Sequence, residues 1–246
     1  MTTNATTRGY SLQNAQEFGW NSLTGELLPE RRWLLDTYVG GSTVLDAGCG
    51  GGGFVDYLCK RGFDATGLER HAMFLDVAPQ RGFSGSFVNA DLAMPLPFVD
   101  GAFDTTVCLD VLEHVSDDQA AIRELTRVTR HRLVVAVPQQ DTWMPSYRLT
   151  FYPYRDPTHL RYYTRDTLAT LLQAPRARDV NIFGEQPILL QHLALDLVKP
   201  ESKYPGMTRI YRRVFRFLVE RAGRHQLFMN LAAVVDLRSH GDADCA

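Results

Sequence analysis

"VLDAGCGGGG", residues 44–53, is the stretch that decides the fold. It closes a short apolar strand run, "STVLDAGC" (42–49), and leads into "GGFVDYLCKRG" (52–62), which reads as a helix that stops at Gly62. Between them Gly48, Gly50 and Gly52 alternate. Glycine permits positive φ and lets a ligand lie against bare backbone. Tight turns also use glycine for geometry, so the loop alone is weak evidence for a ligand. Two acids strengthen it. Glu69 closes a second strand, "FDATGLE" (63–69), about twenty residues on, where an acid hydrogen-bonds ribose hydroxyls. Asp91 closes a third, "SGSFVNAD" (84–91). Carboxyl ends of strands are where open α/β sheets bind ligands.

Outward from this loop the alternation continues. "LPERRWLLDTYV" (28–39) has helical apolar spacing with Pro29 in its first turn. "RHAMFLDVAPQRG" (70–82) is a short helix interrupted by proline. "AFDTTVCLDV" (102–111) is a fourth strand, and "HRLVVAVP" (131–138) a fifth, apolar enough for the centre of a parallel sheet. The helix between them, "SDDQAAIRELTRVTR" (116–130), opens on good N-caps and carries Ile122, Leu125 and Val128 on one face. "TRDTLATLLQ" (164–173) is a Thr-capped helix. "RDVNIFGEQ" (178–186) and "FMNLAAVVDLRS" (228–239) supply the last two strands. The order predicts an α/β fold, a doubly wound sheet with helices on both faces. There is no internal repeat.

Composition sets bounds on what the chain does. Hydrophobic residues make up 45% and charged residues 22% of 246, as in ordinary globular proteins, so a core can form without staples. The formal charge of −2 supplies no global field toward nucleic acid or membrane. Cys49, Cys59, Cys108 and Cys245 form no CxxC pair and no metal-finger spacing, which reads as reduced thiols. The polar N-terminus "MTTNATTRGYSLQNAQ" lacks the apolar core of a signal peptide, and no apolar run has transmembrane length. A cytoplasmic location is the expectation.

The loop also discriminates among nucleosides. Dinucleotide sites read G-x-G-x-x-G and aim a helix N-terminus at a pyrophosphate. Here the pattern is D-x-G-x-G-x-G, with Asp46 ahead of the first glycine. A carboxylate there repels a pyrophosphate and suits a cationic ligand with an ammonium group. S-adenosylmethionine has an amine, a sulfonium and a ribose, and no phosphate.

At this point the sequence resembles the class I S-adenosylmethionine-dependent methyltransferases. The resemblance covers roughly Leu34 to Gln173 and rests on "VLDAGCGGGG", "GLE", "NADLAMPLPFVDGAFDTTVCLDVLEHV" and "DPTHLRYYTRDTLATLL". It implies a Rossmann-like, mostly parallel seven-stranded sheet, with the last strand antiparallel beside the fifth and a helical insertion before it. It implies that Asp46, Gly48, Gly50 and Gly52 form the cofactor loop and that Glu69 holds the ribose hydroxyls. Asp91, with the Leu92 backbone, faces adenine, and Leu109 and Asp110 lie beside the methionine portion. The usual Pro-Gly-Gly turn before the fifth strand is replaced by "TRHRL" (129–133), which shortens that connection. The expected organisation is one methyltransferase domain over 1–246. It comprises an arm and helix (1–40), a cofactor-binding core (41–188), a helical insertion (189–227), the last strand (228–239) and a tail (240–246).

"CLDVLEHV" (108–115) gathers Asp110, Glu113 and His114 where the fourth strand ends. In a helix opening there, the three stand at i, i+3 and i+4 and share a face. The connection after the neighbouring fifth strand brings His159, in "DPTHLRYYT". This pattern resembles the metal centre of small-RNA 2′-O-methyltransferases and the E-x-x-E-H segment of ubiquinone-pathway O-methyltransferases. The resemblance implies Asp110, Glu113, His114 and His159 as ligands of a divalent metal, with Asp110 reaching less far than the Glu it replaces. Oxygen and imidazole donors suit Mg, Mn, Fe or Zn. Three readings stand. A metal activates an acceptor hydroxyl as a Lewis acid. Alternatively His114 or His159 is a catalytic base oriented by Glu113. Or Glu113 and His114 merely line the cofactor pocket.

Two segments bear on the acceptor. The connection 139–163 is rich in aromatics, among them Trp143, Tyr147, Phe151 and Tyr162, which suits a pocket for an organic molecule as well as ordinary loop packing. "MTRIYRRVFRFLVERAGRH" (207–225) is an amphipathic basic helix: a cover that attracts an anionic acceptor, a membrane-surface contact, or a solvated face. The expected function is S-adenosylmethionine-dependent O-methylation of a small hydroxylated metabolite, such as a natural product or sugar, with nucleic acid and membrane disfavoured as partners. The alternatives are a metal-independent N- or C-methyltransferase, a nicotinamide-dependent oxidoreductase, and a non-catalytic binding protein of the same fold.

Overall fold

The computed structural model describes Gly25, Leu27, residues 29–140, Asp156, residues 158–188, Ile210, Arg213, Val214, Phe217 and residues 227–239. Strands are β1 (Thr43–Ala47), β2 (Asp64–Glu69), β3 (Ser86–Asn89), β4 (Phe103–Leu109), β5 (Thr129–Pro138), β6 (Ala177–Ile188) and β7 (Leu227–Leu237). Helices are α1 (Pro29–Tyr38), α2 (Gly53–Lys60), the short α3 (Ala72–Leu75) and α4 (Val77–Gln80), α5 (Asp118–Val128) and α6 (Arg165–Leu171). The seven strands form one sheet in the order β3-β2-β1-β4-β5-β7-β6. β1 pairs in parallel with β2 and β4, β2 with β3, and β4 with β5. β7 runs the other way: Arg132, near the start of β5, bonds Asp236, near the end of β7. The strand order therefore reverses between β1 and β4, and the crevice at their carboxyl ends is the ligand position of such a sheet.

Alternation of side chains builds the two faces. Leu133, Val135 and Val137 of β5 enter one apolar cluster, while Val134 and Ala136 enter the other. The first cluster is covered by Ala121, Ile122, Leu125 and Val128 of α5, the second by Leu34 and Leu35 of α1 and Val55 and Leu58 of α2. Burial on both faces explains why β5 reads as an unbroken apolar run.

Several boundaries differ from the sequence reading. β5 begins at Thr129 rather than His131, because Thr129 is fully buried and its hydroxyl bonds Thr106 Oγ1 at 2.6 Å and the Leu125 carbonyl at 2.5 Å. β4 stops at Leu109, because Asp110 turns to φ 56°. No α-helix opens at Asp110. Leu112–His114 is a single 3-10 turn, and α5 begins only after Asp117, whose carboxylate accepts from Ala120 N at 2.8 Å.

Contacts divide the chain into two compact units, Met1–Phe183 with Leu231–Ala246, and Gly184–Asn230. In the second unit Ile210, Arg213, Val214 and Phe217 are helical and exposed. The rest of that helix, the N-terminal arm up to residue 24, the aromatics at 141–155 and Cys245 lie outside the described residues. Cys49, Cys59 and Cys108 are free thiols. Among the described residues no helix is long and apolar enough to cross a membrane.

Candidate active site

The glycine loop is held by β2 and by its own acids. Leu68 O accepts from Gly48 N at 2.7 Å and from Cys49 N at 2.9 Å. Gly48 and Gly52 adopt φ 89° and 82°, and Gly52 caps α2 in the left-handed region. A Cβ on Gly48 would stand 2.3 Å from Val111 Cγ2, so backbone conformation and packing both demand glycine. Gly50 is also left-handed. Its N–H donates to Glu69 Oε2 at 3.2 Å, while Glu69 Oε1 accepts from His71 N at 2.8 Å. The carboxylate at the end of β2 is thus fastened to the glycine loop.

Asp46 is buried, and its Oδ2 has no hydrogen-bond partner. Burial and the neighbouring Glu69 charge push its carboxyl up to about 7. Burial also raises Glu69. Two buried acids beside bare backbone, one with an orphaned oxygen, fit a cationic ligand and disfavour an anionic one. Asp91 closes the edge after β3, its Oδ1 accepting from Ala93 N at 2.9 Å and its Oδ2 3.8 Å from Arg70 Nη1. Leu92 and Leu109 are buried in the two clusters of the core.

Three of the four expected residues of the acid–histidine cluster come together. Asp110, in its left-handed turn, faces away to an ion pair with Arg31 of α1, a guanidinium only 2% exposed. Leu112 and Val115 sink into the core, and their spacing of three sets the 3-10 turn between them. That turn leaves Glu113 buried and His114 beside it. His159 arrives on residues 158–163, which dock on the turn. Glu113 Oε1 lies 3.9 Å from His114 Nε2 and 4.0 Å from His159 Nε2, and the two imidazoles meet edge-on with centroids 4.8 Å apart. Ligand atoms of Glu113, His114 and His159 all fall within 4.8 Å of one another. Asp110 is not part of that trio.

The electrostatics of the trio are those of a site short of positive charge. Burial, then the Asp110 charge, pushes the Glu113 carboxyl well above the usual range. Burial and His159 push His114 down to about 4, and burial lowers His159 as well. Glu113 Oε2 and His159 Nδ1 are buried without a hydrogen-bond partner. His114 Nδ1–H donates to the Thr158 carbonyl at 3.1 Å, which leaves Nε2 as a lone pair turned to Glu113. A divalent cation fits this donor set of two imidazoles and a carboxylate.

Sequence reasoning missed three residues. Arg31 gave no signal, because its partner Asp110 is 79 positions away. Asp156 stands 3.8 Å from His159 Nε2 and accepts from Thr158 N at 2.9 Å. An Asp two residues before a Thr is a turn signal that could have singled it out. The third, Arg161, ties residues 158–163 to the turn.

Residues 45–136 match the model of the methyltransferase domain family. Over that stretch, less than half of the chain, the protein is similar to methyltransferase domains. An uncharacterized methyltransferase of Mycobacterium sp. (strain JLS) is 37% identical over 95 residues, 39% of this chain and 37% of that protein. A ubiquinone biosynthesis O-methyltransferase of Chromobacterium violaceum is 32% identical over 114 residues, 43% of this chain and 48% of that protein. The chain thus spans between about two-fifths and half the length of these relatives. The crystal structure of a SAM-dependent methyltransferase from Archaeoglobus fulgidus superposes with a TM-score of 0.63 at 20% identity, over 92% of this chain and 99% of that one. The family match ends within β5, so it covers the glycine loop, Glu69, Asp91, Glu113 and His114. His159 and Arg161 lie beyond it.

Proposed function

We propose that this protein methylates a hydroxyl of a small organic acceptor with S-adenosylmethionine as donor, and that Glu113, His114 and His159 hold a divalent cation that grips the hydroxyl. The observation that carries the reading is the convergence of Glu113, His114 and His159, whose ligand atoms lie within 4.8 Å of one another, with Glu113 Oε2 buried and without a hydrogen-bond partner. Uncompensated buried polar atoms cost about 1–3 kcal/mol each, and a bound cation offsets that cost.

The chain's own residues have distinct tasks. Asp46 and Glu69 bind the cationic nucleoside, Glu69 through the ribose hydroxyls, and Asp91 closes the adenine end. Gly48, Gly50 and Gly52 let that ligand lie on backbone. Arg31 supplies the one kind of charge these acids lack, and it fits the carboxylate of the cofactor's amino-acid head. Asp110 orients that guanidinium. The cofactor, when bound, supplies a methyl group on a sulfonium. A divalent cation, when bound, supplies a Lewis acid that lowers the pKa of a coordinated hydroxyl. Glu113 and His159 orient the acceptor for in-line attack, and positioning supplies much of the rate. The ubiquinone-pathway relative, by its name an O-methyltransferase, supports oxygen as the acceptor atom.

In the metal-free alternative, His114 or His159 takes the hydroxyl proton. The burial that holds His114 near 4 makes it a weak base at neutral pH, which favours the cation. Of the remaining alternatives, the match to a methyltransferase domain selects against a nicotinamide enzyme. The test is calorimetry with S-adenosylhomocysteine, followed by turnover of a panel of phenols, sugars and polyketide alcohols with Mg or Mn and with EDTA. Binding of the homocysteine product, activity abolished by EDTA and activity restored by Mn are expected. Full turnover in EDTA, with His159→Ala still active, removes the metal from the reading. Absence of any binding removes the cofactor.

A further inference from the structure

We propose that Arg161 is a positioning residue of the acid–histidine centre: its guanidinium clamps residues 158–163 onto the turn after β4 and so sets His159 against Glu113 and His114. The proposal rests on the functional reading above. Arg161 Nη1 donates to the Val115 carbonyl and Nη2 to the Ser116 carbonyl, each at 2.8 Å, and Nη1 lies 3.1 Å from Asp118 Oδ2. Asp118 Oδ2 also accepts from Tyr163 OH at 2.9 Å, so one carboxylate in the first turn of α5 holds two residues of the segment.

The clamp is reciprocal with the centre itself. Leu160 N donates to the Glu113 carbonyl at 2.8 Å, and His114 Nδ1 donates to the Thr158 carbonyl at 3.1 Å. The Thr158 carbonyl thus orients the His114 ring, and the Glu113 carbonyl holds the backbone next to His159. Tyr163 anchors the far end beside β5, where its N–H meets the Pro138 carbonyl at 3.1 Å and its carbonyl accepts from Gln140 N at 2.7 Å. Arg161 falls between that anchor and His159. A planar fork that reaches two carbonyls and a carboxylate fixes an orientation that a single ammonium does not. Outer groups that orient metal-binding histidines are worth about 10–100-fold in affinity or activity.

The experiment uses the full chain as wild type, Arg161→Met, Arg161→Lys and Asp118→Asn. Mn2+ affinity and S-adenosylhomocysteine affinity are measured by calorimetry, and folding by thermal melt. Arg161→Met is expected to weaken Mn2+ binding about 10–100-fold while S-adenosylhomocysteine affinity stays at the wild-type value, because the glycine loop is untouched. Arg161→Lys should recover part of the loss. A folded Arg161→Met that binds Mn2+ as tightly as wild type overturns the proposal. Should Arg161→Met not fold, Arg161→Lys and Asp118→Asn are judged by the same comparison. A wild type that binds no Mn2+ removes the metal reading, and Arg161 is then judged by turnover. A lowered kcat at unchanged KM for the cofactor supports positioning of His159 as a base, and an unchanged kcat overturns it.

Discussion

Asp46 is a carboxylate placed where an acid is costly. It is 2% exposed, and its carboxyl is pushed up to about 7 by burial and by Glu69. In the unfolded chain it titrates near its ordinary 3.8. Between about pH 4 and about pH 7 the folded chain therefore holds a proton that the unfolded chain has released. Stability falls with rising pH across that window and levels off above it. Glu69 and Glu113, also raised, act in the same direction, so the contribution of Asp46 has to be read by difference. Asp46→Asn keeps the shape and removes the titration. The variant is expected to match wild type near pH 4 and to gain on it through pH 7, with the advantage approaching ~4 kcal/mol by pH 8. Its affinity for S-adenosylhomocysteine should fall at least about tenfold, the scale of one charged hydrogen bond. Urea melts against pH, with calorimetry at pH 7.5, check both. A stability difference that does not change with pH would show that Asp46 is ionised in the free protein.

The turn from β1 into α2 shows what a short element can reveal in advance. The alternation of Gly48, Gly50 and Gly52 was legible, because each position needs a left-handed backbone that other residues adopt only under strain. The element at 110–115 was not legible. Its acids and histidine have helical spacing, yet Asp110 takes φ 56° and the chain makes a 3-10 turn. The deciding interactions are distant: Arg31 draws Asp110 aside, and Leu160 N bonds the Glu113 carbonyl. Local periodicity carries neither. The two elements meet at Gly48, where an added Cβ would strike Val111 at 2.3 Å. Gly48→Ala is expected to cost about 2–5 kcal/mol, combining a strained φ with overpacking, and to abolish S-adenosylhomocysteine binding. Pairing it with Val111→Ala should relieve the clash and leave the strained φ, so part of the stability returns. Thermal melts of the single and double variants distinguish the two causes, and full recovery in the double variant would mean that packing alone demands glycine.

At the scale of the molecule, the sheet order places two different chemistries on one rim. Acids at the ends of β1, β2 and β3, proposed above to bind a cationic nucleoside, lie on one side, and the turn after β4 with the segment after β5 makes the acid–histidine trio. The seven-stranded order and antiparallel β7 followed from the family resemblance. The pairings around the trio did not follow, because Asp110 meets Arg31 and Asp156 meets His159 only in three dimensions. A cation bound by the trio joins residues 113–114 to residue 159, and these are 45 positions apart. It binds the folded chain and finds no preformed site in the unfolded one. Stability must then rise with free metal as RT ln(1 + [L]/Kd), about 2.7 kcal/mol at one hundred times Kd. For a chain of this size that corresponds to a rise in Tm of about 5–10 °C. Melts of protein stripped with EDTA and then titrated with Mn2+ should show this rise. His159→Ala should remove most of it while leaving the rise caused by S-adenosylhomocysteine intact, since that ligand sits at the other acids. If wild type and His159→Ala gain equally from Mn2+, the ion binds elsewhere on the chain, and the trio is a set of buried polar side chains that no cation completes.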